Sequence, residues 1–157
     1  MSVVINHSQS EVYFGQLRIA TAAVAPGACV VADDVNGACA VPAANANADG
    51  LDIYMVANYD SYADTDTRNS VNYTVAVGEY ARLKPLEVGD AFTTDQFIGV
   101  FAGINVGDIF AVNGDVGDGV QGRWVAIGQR TPVLRARVIE KTTIYGNNAL
   151  KFRVIAA

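Results

Sequence analysis

The sequence predicts an all-β protein, an antiparallel sandwich or small barrel of hairpins with little or no helix. Three observations predict it. Apolar residues alternate with period two in several stretches. No window of a dozen residues places large apolar side chains at i, i+3, i+4 and i+7 with a polar opposite face. Glycine is abundant, 15 residues in 157, and much of it stands in turn-forming pairs such as Pro26-Gly27, Asn36-Gly37, Asp49-Gly50, Gly89-Asp90, Gly107-Asp108 and Asn113-Gly114. Turns this regular suit a sandwich or barrel, and the length suits one β domain over residues 1–157, able to bury roughly 68–70% of its unfolded surface.

The elements follow in chain order. Cys29 and Cys39 flank Asp33-Asp34-Val35-Asn36-Gly37, a strong turn sequence, so residues 29–39 read as a hairpin. With the turn midway, the two sulfurs would face each other across the strands. A disulfide is one reading; two small buried thiols is the favoured one. Pro42–Asp49 mixes alanine with poor helix formers and reads as a surface loop. Leu51, Ile53, Met55 and Ala57 alternate as a strand, and so do Val71, Tyr73, Val75 and Val77. Between them, Tyr59–Ser70 lacks any apolar period and reads as an exposed loop, dividing an N-terminal lobe (1–58) from a C-terminal one (71–157) if two lobes exist. Leu86-x-Val88-Gly89-Asp90-x-Phe92 recurs eighteen residues later as Ile104-x-Val106-Gly107-Asp108-x-Phe110, a short duplication read as successive hairpins of one sheet. Val133–Thr143 and Ala149–Ala156, joined by Tyr145-Gly146-Asn147-Asn148, read as a long terminal hairpin.

Composition excludes several classes. The chain is 51% hydrophobic and only 17% charged, which suits a packed or self-associating protein. A net charge of −5 and a pI near 4.6 exclude a generally basic nucleic-acid binder. No apolar run approaches the roughly 18–20 residues of a membrane span. The opening Met1–His7 lacks the basic and apolar stretches of a secretory leader. Two cysteines and the single histidine, His7, do not make a four-ligand zinc site, and His7 has no acid or nucleophile pattern beside it. Many aspartates lie in turns, where they cap backbone amides. Asp64-x-Asp66 and Asn113-x-Asp115-x-x-Asp118 are oxygen-rich loops of a kind calcium accepts, but neither fits the EF-hand frame and both read as solvated turns. No cofactor, no metal and no catalytic set are therefore expected.

Charge distribution is the informative feature. Residues 1–122 carry fifteen acidic and four basic side chains; residues 123–157 carry one acidic and seven basic, a balance of +6. Arg135 and Arg137 share one face of their strand, and Lys151 and Arg153 one face of the next, so the terminal hairpin is expected to carry a basic patch. Acidic loops of the same chain or an acidic surface on another subunit or partner would offset it; nucleic acid ranks third. Tyr54, Tyr59 and Tyr62 cluster at a strand end and the following loop, where tyrosines serve sugar stacking, a protein interface, or strand packing alone.

Over Tyr73–Phe97 the rhythm Gly-Glu-Tyr…Leu-Lys-Pro…Val-Gly-Asp…Phe resembles the small β-rich auxiliary or decoration proteins on the outside of tailed-bacteriophage heads. The resemblance implies a non-enzymatic structural virion protein, assembled in the host cytoplasm, that binds and stabilises the capsid lattice. Its implied partners are the major capsid protein or another virion protein, and itself as a homo-oligomer, taken as a trimer; no membrane and no nucleic acid are implied. It carries no site residue with it. Two other classes stay open: a carbohydrate- or receptor-binding module of a phage fibre or adhesin, using the tyrosine loop, and a small β-barrel enzyme.

Overall fold

Where apolar residues alternate, strands form with one face turned to a core; where they run unbroken, the strand is buried on both faces. Both cases occur in the computed structural model, which describes residues 3–9, 14–58 and 73–157. Among the described residues eleven strands make two packed sheets: β1 (Val3–His7), β2 (Arg18–Ile19), β3 (Cys29–Asp33), β4 (Ala38–Ala40), β5 (Ile53–Val56), β6 (Leu83–Pro85), β7 (Ala91–Thr94), β8 (Ile109–Val112), β9 (Trp124–Ala126), β10 (Arg135–Ile144) and β11 (Asn147–Ala156). The larger sheet has the order β1-β7-β11-β10-β8-β9, every pair antiparallel. The smaller has the order β2-β4-β3-β5-β6, antiparallel except for the short parallel pair β2–β4. The protein is thus an all-β sandwich. Strands β1 and β6 each cross the division that residues 59–70 suggest: β1 pairs with β7, and β6 with β5.

Between the sheets lies an aromatic core. Phe92, Phe110, Phe152 and Trp124 are fully buried, with ring centroids 5.2–5.5 Å apart. The smaller sheet answers with Cys29, Ile53 and Met55. The indole N–H of Trp124 lies in this core and donates to the Gly27 carbonyl at 3.1 Å. The other face of the smaller sheet is covered too. Residues 14–24, which include the edge strand β2, and residues 75–83, which reach the edge strand β6, pair antiparallel with each other at Phe14–Leu83, Arg18–Tyr80 and Val24–Val75, and so bring Leu17, Ile19, Val24, Val75 and Ala81 against Val30, Cys39, Val56 and Leu83. The unbroken run Cys29-Val30-Val31-Ala32 fits that two-sided burial.

The duplicated motif is a structural device, although not successive hairpins. Each copy forms a turn in which glycine takes a left-handed φ (+99° at Gly89, +102° at Gly107). In each, the aspartate carboxylate accepts the backbone N–H three residues earlier, Glu87 at 2.9 Å and Asn105 at 2.8 Å. Each turn then docks on one strand of the terminal hairpin through a pair of backbone hydrogen bonds, the first with Val154 and the second with Val138. The strands that follow, β7 and β8, therefore flank the β10–β11 hairpin on opposite sides. The copies differ in one respect. Asp90 is buried and meets the equally buried Lys84 at 3.4 Å, whereas Asp108 is not buried. Taking one member away from such a pair strands a charge in the interior.

Four further expectations need correction. Pro42–Asp49 contains one helical turn, α1 (Asn45–Ala48), because Ala48 fills a place in the aromatic core and Asn45 accepts the Gly114 N–H at 3.0 Å. The alternation through Val77 does not make a strand in the described residues: Val75 is buried at its bridge, but Ala76–Glu79 turn and leave Val77 exposed. The terminal turn is two residues, not four, with Ile144 opposite Asn147. The cysteines do not face each other. The register sets Cys39 opposite Ala32, and Cys29 points into the aromatic core while Cys39 points into the second core. Both are free buried thiols. The hairpin turn that displaces them is fixed by Asp33, whose carboxylate accepts from Asn36 Nδ2 (2.7 Å) and Asn36 N (3.1 Å). Those bonds hold its carboxyl below the usual range, so their contribution is present above the ordinary aspartate pKa and is lost as pH falls through the lowered one.

Two outcomes follow from these placements. Burial pushes the Cys39 thiol up to about 11 and Cys29 higher still, so a maleimide at neutral pH should label neither cysteine in the native chain and both after unfolding; rapid native labelling would contradict the placement. Tyr145 holds a left-handed φ of +50° beside Gly146 at +82°, a strained choice for a side-chain-bearing residue in a two-residue hairpin loop. Tyr145→Asn should therefore raise stability by about 0.5–1 kcal/mol in chemical denaturation.

Candidate binding surface

The inner face of the terminal hairpin is committed to the core: Ala136 and Val138 of β10 and Leu150, Phe152 and Val154 of β11 are all buried. Period-two geometry then turns Arg135, Arg137, Lys151 and Arg153 outward. Arg137 stands directly opposite Arg153, with Ile109 of β8 on one flank and Ala91 of β7 on the other. Arg135 sits at the start of β10, opposite Ala156. An extra residue in β10 between Val138 and Glu140 shifts the phase of the strand, which brings Glu140 opposite Lys151. Their charged ends are 3.6 Å apart in a partly exposed pair, the kind that contributes little stability.

The seven basic residues of the last thirty-five therefore divide. Lys151 is offset by Glu140. Arg130 forks onto the Asp49 carboxylate and also donates to the Val112 carbonyl at 2.8 Å, pinning α1 to the larger sheet. Lys141, sent inward by the same bulge, donates to the Ile104 carbonyl at 2.8 Å and lies 4.6 Å from the centre of the Phe101 ring. Arg135, Arg137 and Arg153 are exposed and have no acidic partner among the described residues. Arg123 also lacks one, but lies elsewhere, at the entry to β9. The expected four-residue patch is thus three free arginines beside one neutralised lysine. The bulge that neutralises it leaves no local mark in the sequence.

Of the tyrosines, Tyr59 and Tyr62 lie outside the described residues. Tyr54 belongs to β5, in a strand and not a loop; its ring meets Phe14 edge to face at 5.7 Å, on the wall of a groove of about 570 Å³ that Asp34 and Leu83 also line. Partial burial, then Asp52 and Asp34, push its hydroxyl pKa upward. Asp64 and Asp66 also lie outside the described residues. The Asn113 loop is closed on itself: Asn113 Nδ2 donates to the carbonyls of Asp115, Gly119 and Val120, and Asp115 Oδ1 accepts the Gly117 N–H. Among the described residues no three His, Cys, Asp or Glu side chains gather to hold a metal ion, and no described helix is long and apolar enough to cross a membrane.

No protein-family model matches the chain, and no curated protein and no solved structure matches it.

Proposed function

We propose that the chain is a non-enzymatic structural protein of a virion, a decoration protein that docks on a phage head lattice through the outer face of its larger sheet. One observation carries the reading: Arg137 and Arg153 are held side by side, exposed and unneutralised by any described acid, in a chain whose net charge is −5. Like charges directly opposite on a strand pair cost local stability. A surface that keeps them gains only when an acidic partner covers them. The rest of the molecule is acidic, so it repels a polyanion at long range and orients the basic face toward an acidic protein patch. The sheet fixes the backbone beneath the arginines, so only their side chains are left to be ordered on binding.

On a lattice the same contact recurs at every site. Self-association of neighbouring copies, with a trimer as the expected unit, would join these contacts into one multivalent attachment, so that modest individual affinities add up to firm retention. The major capsid protein is the partner this reading names.

Charge reversal is the direct test. Arg137→Glu with Arg153→Glu should leave the fold intact, since both side chains are exposed, and should lower affinity in co-sedimentation with heads assembled without this chain by at least about tenfold per reversal, roughly 1.4 kcal/mol each. Binding that is undiminished would refute the docking face.

A further inference from the structure

The remaining arginine without a described partner lies in a different place. Arg123 lines a pocket of about 400 Å³ at the edge of the sandwich, where the loop leading to β3 faces the approach to β9. Val24, Ala28 and Val41 give it apolar walls, and Thr74, Gln96 and Gln121 are its other polar residues. The Nε–H of Arg123 is enclosed and has no hydrogen-bond acceptor. An enclosed donor left unmade costs on the order of 1–3 kcal/mol, and a fold normally provides an acceptor for it.

The backbone holds this arginine firmly. Its carbonyl accepts the Asn113 N–H at 2.8 Å, and the next residue, Trp124, donates its N–H to the Gln96 carbonyl at 3.0 Å. The preceding Gly122 is wedged against β3: its carbonyl accepts the Cys29 N–H at 2.8 Å, and a Cβ there would stand 2.6 Å from the Cys29 carbonyl oxygen. The neighbouring amides are oriented as well, Gln96 Nε2 on Asp95 Oδ1 at 2.7 Å and Gln121 Nε2 on the Gly114 carbonyl at 3.1 Å. Each amide keeps a second N–H, but Arg123 is the one cationic side chain among the described residues that line the pocket.

The geometry points to a binding site for a small aliphatic carboxylate, its oxygens taken by the Arg123 guanidinium and its hydrocarbon stem by Val24, Ala28 and Val41. A planar fork of donors matches a carboxylate in two parallel hydrogen bonds. The volume is at the small end of ligand pockets, which suits a short chain. The site lies apart from the arginine face of the larger sheet and does not depend on the docking reading.

Nuclear magnetic resonance titration of the full chain tests it, with hexanoate as the probe and hexanamide as its neutral counterpart. Hexanoate should shift the amides of Arg123, Gln96, Ala22–Ala25 and Gly27–Ala28 saturably and bind at least tenfold more tightly than hexanamide. From butyrate to hexanoate the affinity should rise by roughly fourfold per methylene. Arg123→Gln should lose the preference for the acid, and Arg123→Lys should keep part of it. Equal binding of the two probes, shifts located elsewhere, or no saturable shift would overturn the assignment. The comparison of probes uses the unmodified chain, so it stands whether or not either variant folds.

Discussion

The interleaved rings of Trp124, Phe92, Phe152 and Phe110 are the contact on which the other parts depend. They come from four strands of one sheet, and they bury the face that meets the other sheet. Truncating a core aromatic of this kind costs about 3–5 kcal/mol, a large share of the net stability of a domain. The indole N–H, satisfied by Gly27 across the sheet interface, fixes how the two layers sit. Because Phe152 and its alternate neighbours must face inward, Lys151 and Arg153 have no choice but to face outward. The outward basic face is a consequence of the core.

The twin turns add the second constraint. A glycine-aspartate turn closes on Val154 from one side and on Val138 from the other, so the terminal hairpin is clamped along both of its edges. The clamps are built alike but are not equivalent. One buries its aspartate against Lys84 inside the protein, and the other leaves its aspartate outside the core. That difference sets the β11 side as the more deeply anchored edge, beside the smaller sheet that contributes Lys84.

Much of the fold was legible in the sequence where period two was undisturbed. Leu150, Phe152 and Val154 announce β11, and the repeated Val-Gly-Asp announces two equal turns. The long-range partners of those turns were not legible, because a turn motif states its own geometry and not the strand it docks on. The reading of Cys29 and Cys39 as two buried thiols holds, but their facing each other failed by a few residues of register: a hairpin whose turn is centred later sends alternate side chains to opposite faces, and Cys29 and Cys39 part company. In the candidate surface, alternation placed the arginines outward. It did not foresee that one extra residue near Ile139 would bring Glu140 against Lys151, since a bulge has no fixed residue signature. Arg123 was invisible as a site residue: its pocket is assembled from five separated stretches of chain, and only its membership in the basic last quarter marked it.

Arginine-selective footprinting by phenylglyoxal and mass spectrometry, on the chain free and bound to a head lattice, tests the central claim most directly. Arg135, Arg137 and Arg153 should lose reactivity several-fold on binding while Arg18, on β2 of the smaller sheet, keeps its own. Three arginines as reactive when bound as when free, with protection falling on Arg18 instead, would contradict it.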